Sequence, residues 1–235
     1  MAFQTTQWSL VVAAGGDDSA VARAALSRLC ETYWYPLYAY VRRHGADPDD
    51  ARDLTQGFLM SLLERRDIEN VRRERGRFRA FLLASLQHFL ANDAARRHTL
   101  KRGGGITLLP LEFESAEGRY RFEPAEPVTP QILYERRWAL TVIDRVLAQL
   151  RREWESADRL AEFDQLKACL LGETPAGGYA AVAETLGTTE GAVRVAVHRL
   201  KRRFRRSLQE EIGETVSDVA DIDDEIRYLL RALNA

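Results

Sequence analysis

The sequence predicts an all-α protein of two small helical domains joined by a flexible linker, with a helical extension at its end. Leu, Ala and Arg recur at helical spacing through most of the chain, while runs of β-branched residues are short. Only 7 prolines fall among 235 residues, so long helices are permitted. An apolar fraction of 46% is that of an ordinary globular protein, enough to bury real cores.

From Ala20 to Arg43, the positions Leu26, Leu29, Tyr33, Leu37, Tyr40 and Val41 keep helical spacing, and Pro36 is placed to kink or restart the helix. Asp47 followed by Pro48 is a helix start, because proline suits the first helical position and aspartate the cap. The next helix therefore runs roughly from Pro48 to Glu64, with Leu54, Phe58 and Leu62 facing inward. After the charged loop RRDIENVRRERGR, a helix from about Phe78 to Arg97 carries Phe81, Leu82, Ser85, Leu86, Phe89 and Leu90 on its inner face.

Residues 103–130 combine Gly103, Gly104 and Gly105 with Pro110, Pro124, Pro127 and Pro130 and five acids, which reads as a linker from which Phe113, Tyr120 and Phe122 can dock. A second block opens at Pro130, where Ile132, Trp138, Leu140, Ile143, Val146, Leu147 and Leu150 form an amphipathic stripe. The tail from Gln209 is acidic but ends in IRYLLRAL, which has the spacing of a docked terminal helix. The expected organisation is thus a first domain over 1–102, a linker over 103–130, a second domain over 131–208 and an acidic extension over 209–235.

The formal net charge of -1 hides a segregation. Arg65–Arg79 and Arg194–Arg206 are densely basic, whereas Glu210–Glu225 is acidic, a pattern that suggests local polyanion contacts. Cys30 and Cys169 stand alone, far apart, so neither a disulfide framework nor a zinc site is expected. No segment has the length and apolarity of a membrane span, nor does the start look like a leader, so a cytoplasmic protein without membrane insertion is expected. His44, His98 and His198 lack partners at catalytic or metal-binding spacing, and the three glycines lead into a linker rather than a phosphate cradle. Neither catalysis nor a cofactor is expected.

The segment YAAVAETLGTTEGAVRVAVHRLKRRFRRSL is the most informative in the chain. Ala180, Val182, Ala183 and Leu186 describe a short helix that stops at Gly187. Thr189 sits where an N-cap belongs, and Val193, Val197, Leu200 and Phe204 continue an apolar face at spacings of a second helix. Two short helices across a glycine turn make a helix-turn-helix, whose second helix can enter the DNA major groove. Thr189, Glu190, Gly191, Ala192, Arg194, His198, Arg199 and Arg202 are the candidate DNA residues. Arg194 has the reach to pair with guanine, while Lys201, Arg202, Arg203, Arg205 and Arg206 suit phosphates.

On these residues the chain resembles a known family. GTTEGAVRVAVHRLKRRFR is similar to the domain-four signature of extracytoplasmic-function sigma factors, whose helix reads the minus-35 promoter element. DDARDLTQGFLMSLL resembles the same family's domain-two helix, which docks on the clamp of bacterial core RNA polymerase. The resemblance covers about 20–100 and 135–208, and the linker and IRYLLRAL look like a subgroup associated with Ser/Thr protein kinases. It implies a sigma factor that directs polymerase to promoter DNA, with Asp49, Asp50, Asp53, Leu54 and Gln56 meeting polymerase. The loop before Phe78 stands where the family reads the minus-10 element, so Arg72, Arg73, Arg75, Arg77 and Arg79 are expected on single-stranded DNA, with Phe78 and Phe81 in the core.

Three departures bear on the docking helix. Arg52 and Gly57 replace acids, which weakens the charge offered to polymerase. Thr55 replaces an apolar residue, and two readings of it stay open: a phosphate there, placed by a Ser/Thr protein kinase, restores the charge, or its hydroxyl bonds back to the preceding turn. The acidic tail likewise has two readings, contact with the chain's own basic recognition helix or docking for stability. A stand-alone helix-turn-helix regulator is the alternative function; the acidic helix around Asp53 and a separate basic loop argue against it.

Overall fold

The computed structural model describes residues 7–8, 20–64, 77–97, 113–121, 128–171 and 177–234. Among them the fold is all-α, as expected, with no strand and one isolated antiparallel bridge between Arg77 and Val216. The helices are α1 (Ala20–Arg43), α2 (Pro48–Glu64), α3 (Phe78–Arg97), α4 (Phe113–Arg121), α5 (Pro130–Ser156), α6 (Leu160–Leu166), α7 (Gly178–Thr185), α8 (Glu190–Gly213) and α9 (Ile222–Leu233). No described helix is long and apolar enough to cross a membrane.

The chain divides into two compact units, residues 1–141 with 212–235, and residues 142–211. This partition differs from the one read in the sequence at both ends of the second domain. The first part of α5 and nearly all of the extension belong to the first unit.

Local chemistry sets the helix ends. The Asp47 carboxylate accepts from the Asp50 amide at 2.8 Å, capping α2 with Pro48 at its first position. Thr129 repeats the device for α5, its hydroxyl accepting from the Ile132 amide at 3.3 Å ahead of Pro130. Within α1, Tyr33 leaves helical geometry (φ −113°, ψ 20°) one turn before Pro36, where the proline ring would clash with the preceding turn.

The first unit is built on an aromatic core. Trp8 lies 5.1 Å from both Phe78 and Phe81, and Tyr33 lies 6.0 Å from both Phe78 and Trp138, all but Phe81 essentially without exposure. In the second unit Val142, Val146 and Leu150 of α5, Phe163 and Leu166 of α6, and Val193, Val197 and Leu200 of α8 are buried. The stripe on α5 includes Leu133, Tyr134 and Val142, while Ile132 of the expected stripe is exposed.

The expected linker contains a helix. In α4, the Glu117 carboxylate accepts from the Tyr38 hydroxyl at 2.7 Å and from Arg42 at 3.0 and 3.1 Å. The Arg42 and Arg119 guanidiniums lie over the Tyr120 and Tyr35 rings at 4.8 and 4.0 Å. A nine-residue helix is marginal alone, so these side chains and buried Ala116 hold α4 on α1.

Candidate nucleic-acid interface

In the second unit, α7 and α8 meet at a turn whose chemistry is entirely local. Gly187 has φ +62°, the Thr188 amide donates to the Ala183 carbonyl at 2.9 Å, and the Gly187 amide donates to the Glu184 carbonyl at 3.2 Å. That is a Schellman motif, which needs a left-handed residue at Gly187 and satisfies the last carbonyls of α7. One residue later the Thr189 hydroxyl accepts from the Ala192 amide at 3.2 Å, capping α8. The bend and the restart of the chain thus follow from Gly187 and Thr189.

Val193, Val197 and Leu200 turn one face of α8 into the core, which leaves Glu190, Gly191, Ala192, Arg194, His198, Arg199 and Arg202 exposed on the others. Arg194 does not dangle. Its Nε and Nη2 donate to one Glu190 oxygen at 3.1 and 2.5 Å, and its guanidinium lies 5.6 Å from the centre of the Tyr179 ring on α7. The Glu190 carboxylate holds the Arg194 pKa above its ordinary value. Lys201, Arg205 and Arg206 are exposed further along α8, whereas Arg203 is partly engaged, donating to Glu153 of α5 at 3.0 and 2.5 Å. The helix therefore carries a start suited to base edges and a basic continuation suited to phosphates.

In the first unit, Asp49, Asp50 and Asp53 are exposed along α2, where Arg52 lies 3.5 Å from Asp49 and 3.4 Å from Asp53. Leu54 is half-buried and Phe58 buried. Gln56 corrects the expectation of a polymerase contact, being only 4% exposed. Thr55 is fully buried and its hydroxyl donates to the Ala51 carbonyl at 2.7 Å, the second of its two readings. A kinase has no access to that hydroxyl in the folded unit.

The basic run is divided. Arg72, Arg73 and Arg75 lie outside the described residues. Arg77 is half-buried, and its Nε pairs with Glu225 at 2.9 Å. Arg79, expected on single-stranded DNA, is instead 5% exposed. It donates to Glu225 from Nε and Nη2 at 2.5 and 3.3 Å and to both oxygens of Glu135 at 2.8 and 3.0 Å, with its guanidinium 3.7 Å from the centre of the Tyr228 ring. The Tyr134 hydroxyl donates to the Arg79 carbonyl at 2.8 Å. Burial pushes the Glu135 carboxyl above its ordinary pKa, with Arg79 pulling against it. Phe78 and Phe81 are core, as expected.

Sequence reasoning missed Glu135, Glu225 and Tyr228 as partners of Arg79, and Glu117 as the anchor of α4. Cys30 and Cys169 are buried, and burial pushes both thiols up. Among the described residues no three His, Cys, Asp or Glu side chains converge as metal ligands.

No protein-family model, curated protein or solved structure matches the chain.

Proposed function

We propose that this protein is a sigma-type initiation factor, which binds bacterial core RNA polymerase and directs it to promoters. The observation that carries the reading is the α7–turn–α8 geometry: a capped second helix whose core-facing valines leave Glu190, Arg194, His198, Arg199 and Arg202 exposed. In this role Arg194 reads a base, and Lys201, Arg202, Arg205 and Arg206 neutralise phosphates. The exposed acids Asp49, Asp50 and Asp53 of α2 meet a basic surface of the polymerase, and Arg77 meets single-stranded promoter DNA. Binding energy, rather than a reaction of the chain's own side chains, then places the polymerase and captures unpaired bases.

The test is run-off transcription with purified core polymerase on promoter DNA selected by this protein. Promoter-specific transcripts that lose base preference at one position with Arg194→Ala and weaken with Asp53→Lys support the reading. Specific duplex binding without polymerase, and no transcript with it, would replace it by a stand-alone helix-turn-helix regulator.

A further inference from the structure

The extension after α8 is not a tail. Within the first unit, the Gln7 amide donates to the Glu214 carboxylate at 2.8 Å and the Trp8 amide to the Glu214 carbonyl at 3.0 Å. The next residue, Thr215, accepts the Phe78 amide on its carbonyl at 2.9 Å, and Val216 forms the bridge with Arg77. Glu225 of α9 then takes Arg77 at 2.9 Å and Arg79 at 2.5 Å, although it is only 1% exposed and lies 146 residues along the chain from Arg79. Glu135, the Tyr134 hydroxyl and the Tyr228 ring close the remaining sides of Arg79.

Two arginines of one basic run, separated by Phe78, therefore have different fates. Arg79 is fully committed: both carboxylates engage it and little of it reaches solvent. Among the described residues, Arg77 is engaged on one edge. Its Nε is on Glu225 while its side chain keeps 30% exposure. Pairing with a buried carboxylate confines the guanidinium of Arg77, while its exposed part stays open to an approaching anion.

We propose that the segment Glu214–Tyr228 is a positioning element for promoter DNA, in which Glu225, bolted in place by Arg79, orients Arg77 toward the single-stranded phosphate backbone. The role rests on the sigma reading above and assigns the extension a part in that function. The alternative, a plain stability dock, requires the Arg79 pair but has no use for a partly exposed Arg77 sharing the same carboxylate. Ordering Arg77 in advance removes side-chain entropy that strand capture would otherwise cost.

The test uses the full chain as wild type, Glu225→Gln, Arg77→Ala and Arg77→Lys, with core polymerase on duplex and on pre-melted promoter templates. Strand opening is read by permanganate reactivity, closed-complex affinity by retention on duplex, and the clasp of Thr215 on Phe78 by amide exchange at Phe78. Glu225→Gln is expected to lower opening about tenfold, from the loss of the carboxylate charge paired with Arg77, with closed-complex affinity unchanged and the deficit smaller on the pre-melted template. Its Phe78 amide exchanges faster. Arg77→Ala leaves the Arg79 pair in place, so it lowers opening with Phe78 still protected, and Arg77→Lys restores part of the loss. Opening by Arg77→Ala equal to wild type overturns the proposal whether or not Glu225→Gln folds, and so does a folded Glu225→Gln protein that opens promoters as well as wild type or better. A silent wild type is a different failure: it removes the sigma reading and the positioning role together, while the exchange at Phe78 still reports whether the clasp exists.

Discussion

The burial of Thr55 makes a sharp prediction about charge. Its hydroxyl has one bond, to the Ala51 carbonyl of the preceding turn, and no exposed surface. In Thr55→Val the hydroxyl is exchanged for a methyl group of similar volume, and the Ala51 carbonyl keeps its helical partner. The change should fall within about 1 kcal/mol of wild type in either direction. Thr55→Glu forces a carboxylate and extra volume among Ala51, Phe58 and Leu59, all buried on the same face. Overpacking alone costs roughly 1–3 kcal/mol, and an unpaired buried charge adds several kcal/mol more in practice. Against a domain stability of about 5–15 kcal/mol, that is enough to unfold much of the first unit. Urea denaturation followed by tryptophan fluorescence measures it, because Trp8, Trp34 and Trp138 belong to the first unit and Trp154→Phe silences the second. A Thr55→Glu protein within about 1 kcal/mol of wild type would refute the placement of this side chain and return Thr55 to the surface as a phosphate acceptor.

Four further outcomes are expected. Arg79→Met strands the buried Glu225 and the half-buried Glu135 carboxylates and should cost about 3–5 kcal/mol in the same urea assay, most of it recovered when Glu135→Leu and Glu225→Leu are added. Gly187→Ala forces a left-handed alanine at φ +62° and should cost roughly 1–2 kcal/mol of the second unit's stability, read from Trp154. Arg202→Ala should lower the salt slope of duplex binding by about 0.9 if it meets one phosphate, while Arg194→Ala leaves more of the slope but relaxes base preference at one position, both read by titration across salt concentrations. Hydrogen bonds from Arg42 hold Glu117 below the ordinary glutamate pKa of 4.5, so its contribution is full above 4.5 and is lost as pH falls through the lower folded value; Glu117→Gln should flatten that acid limb in a stability–pH series.

Which parts of this were legible depended on range. The starts of α2, α5 and α8 are written in Asp47–Pro48, Thr129–Pro130 and Thr189, and the turn before α8 in Gly187, because caps and left-handed turns are settled within a few residues. The inner face of α2 lies partly elsewhere than its leucine spacing suggests. Leu54, Phe58 and Leu62 suggested the inner face, but Ala51, Thr55, Phe58 and Leu59 form it, and Gln56 goes in beside them. Small Ala51 marks a close helix approach and gives a weak apolar signal, while polar Thr55 gives none. The Arg79 cluster was not legible at all. An arginine in a basic run and a glutamate in an acidic tail each look solvated, and nothing local tells that the two meet. Glu117 was hidden likewise, in a stretch whose glycines and prolines outweighed nine helical residues.

The rotation of α2 also changes how its weakened acidity should be understood. A phosphate cannot restore charge from Thr55, since the side chain points into the core. What remains on the surface is Asp49, Asp50 and Asp53, with Arg52 lying between the first and the last at 3.5 and 3.4 Å. Those pairs are long, exposed and within one helix, so they hold Arg52 only loosely. On the proposed sigma reading, a basic surface of the polymerase would compete for the same carboxylates with better desolvation, and Arg52 would swing into solvent as the acids are taken. On the same reading the helix would then offer its full set of acids in spite of the arginine among them, and the remaining deficit lies at Gly57, where a Cβ would meet the Phe89 ring at 3.5 Å.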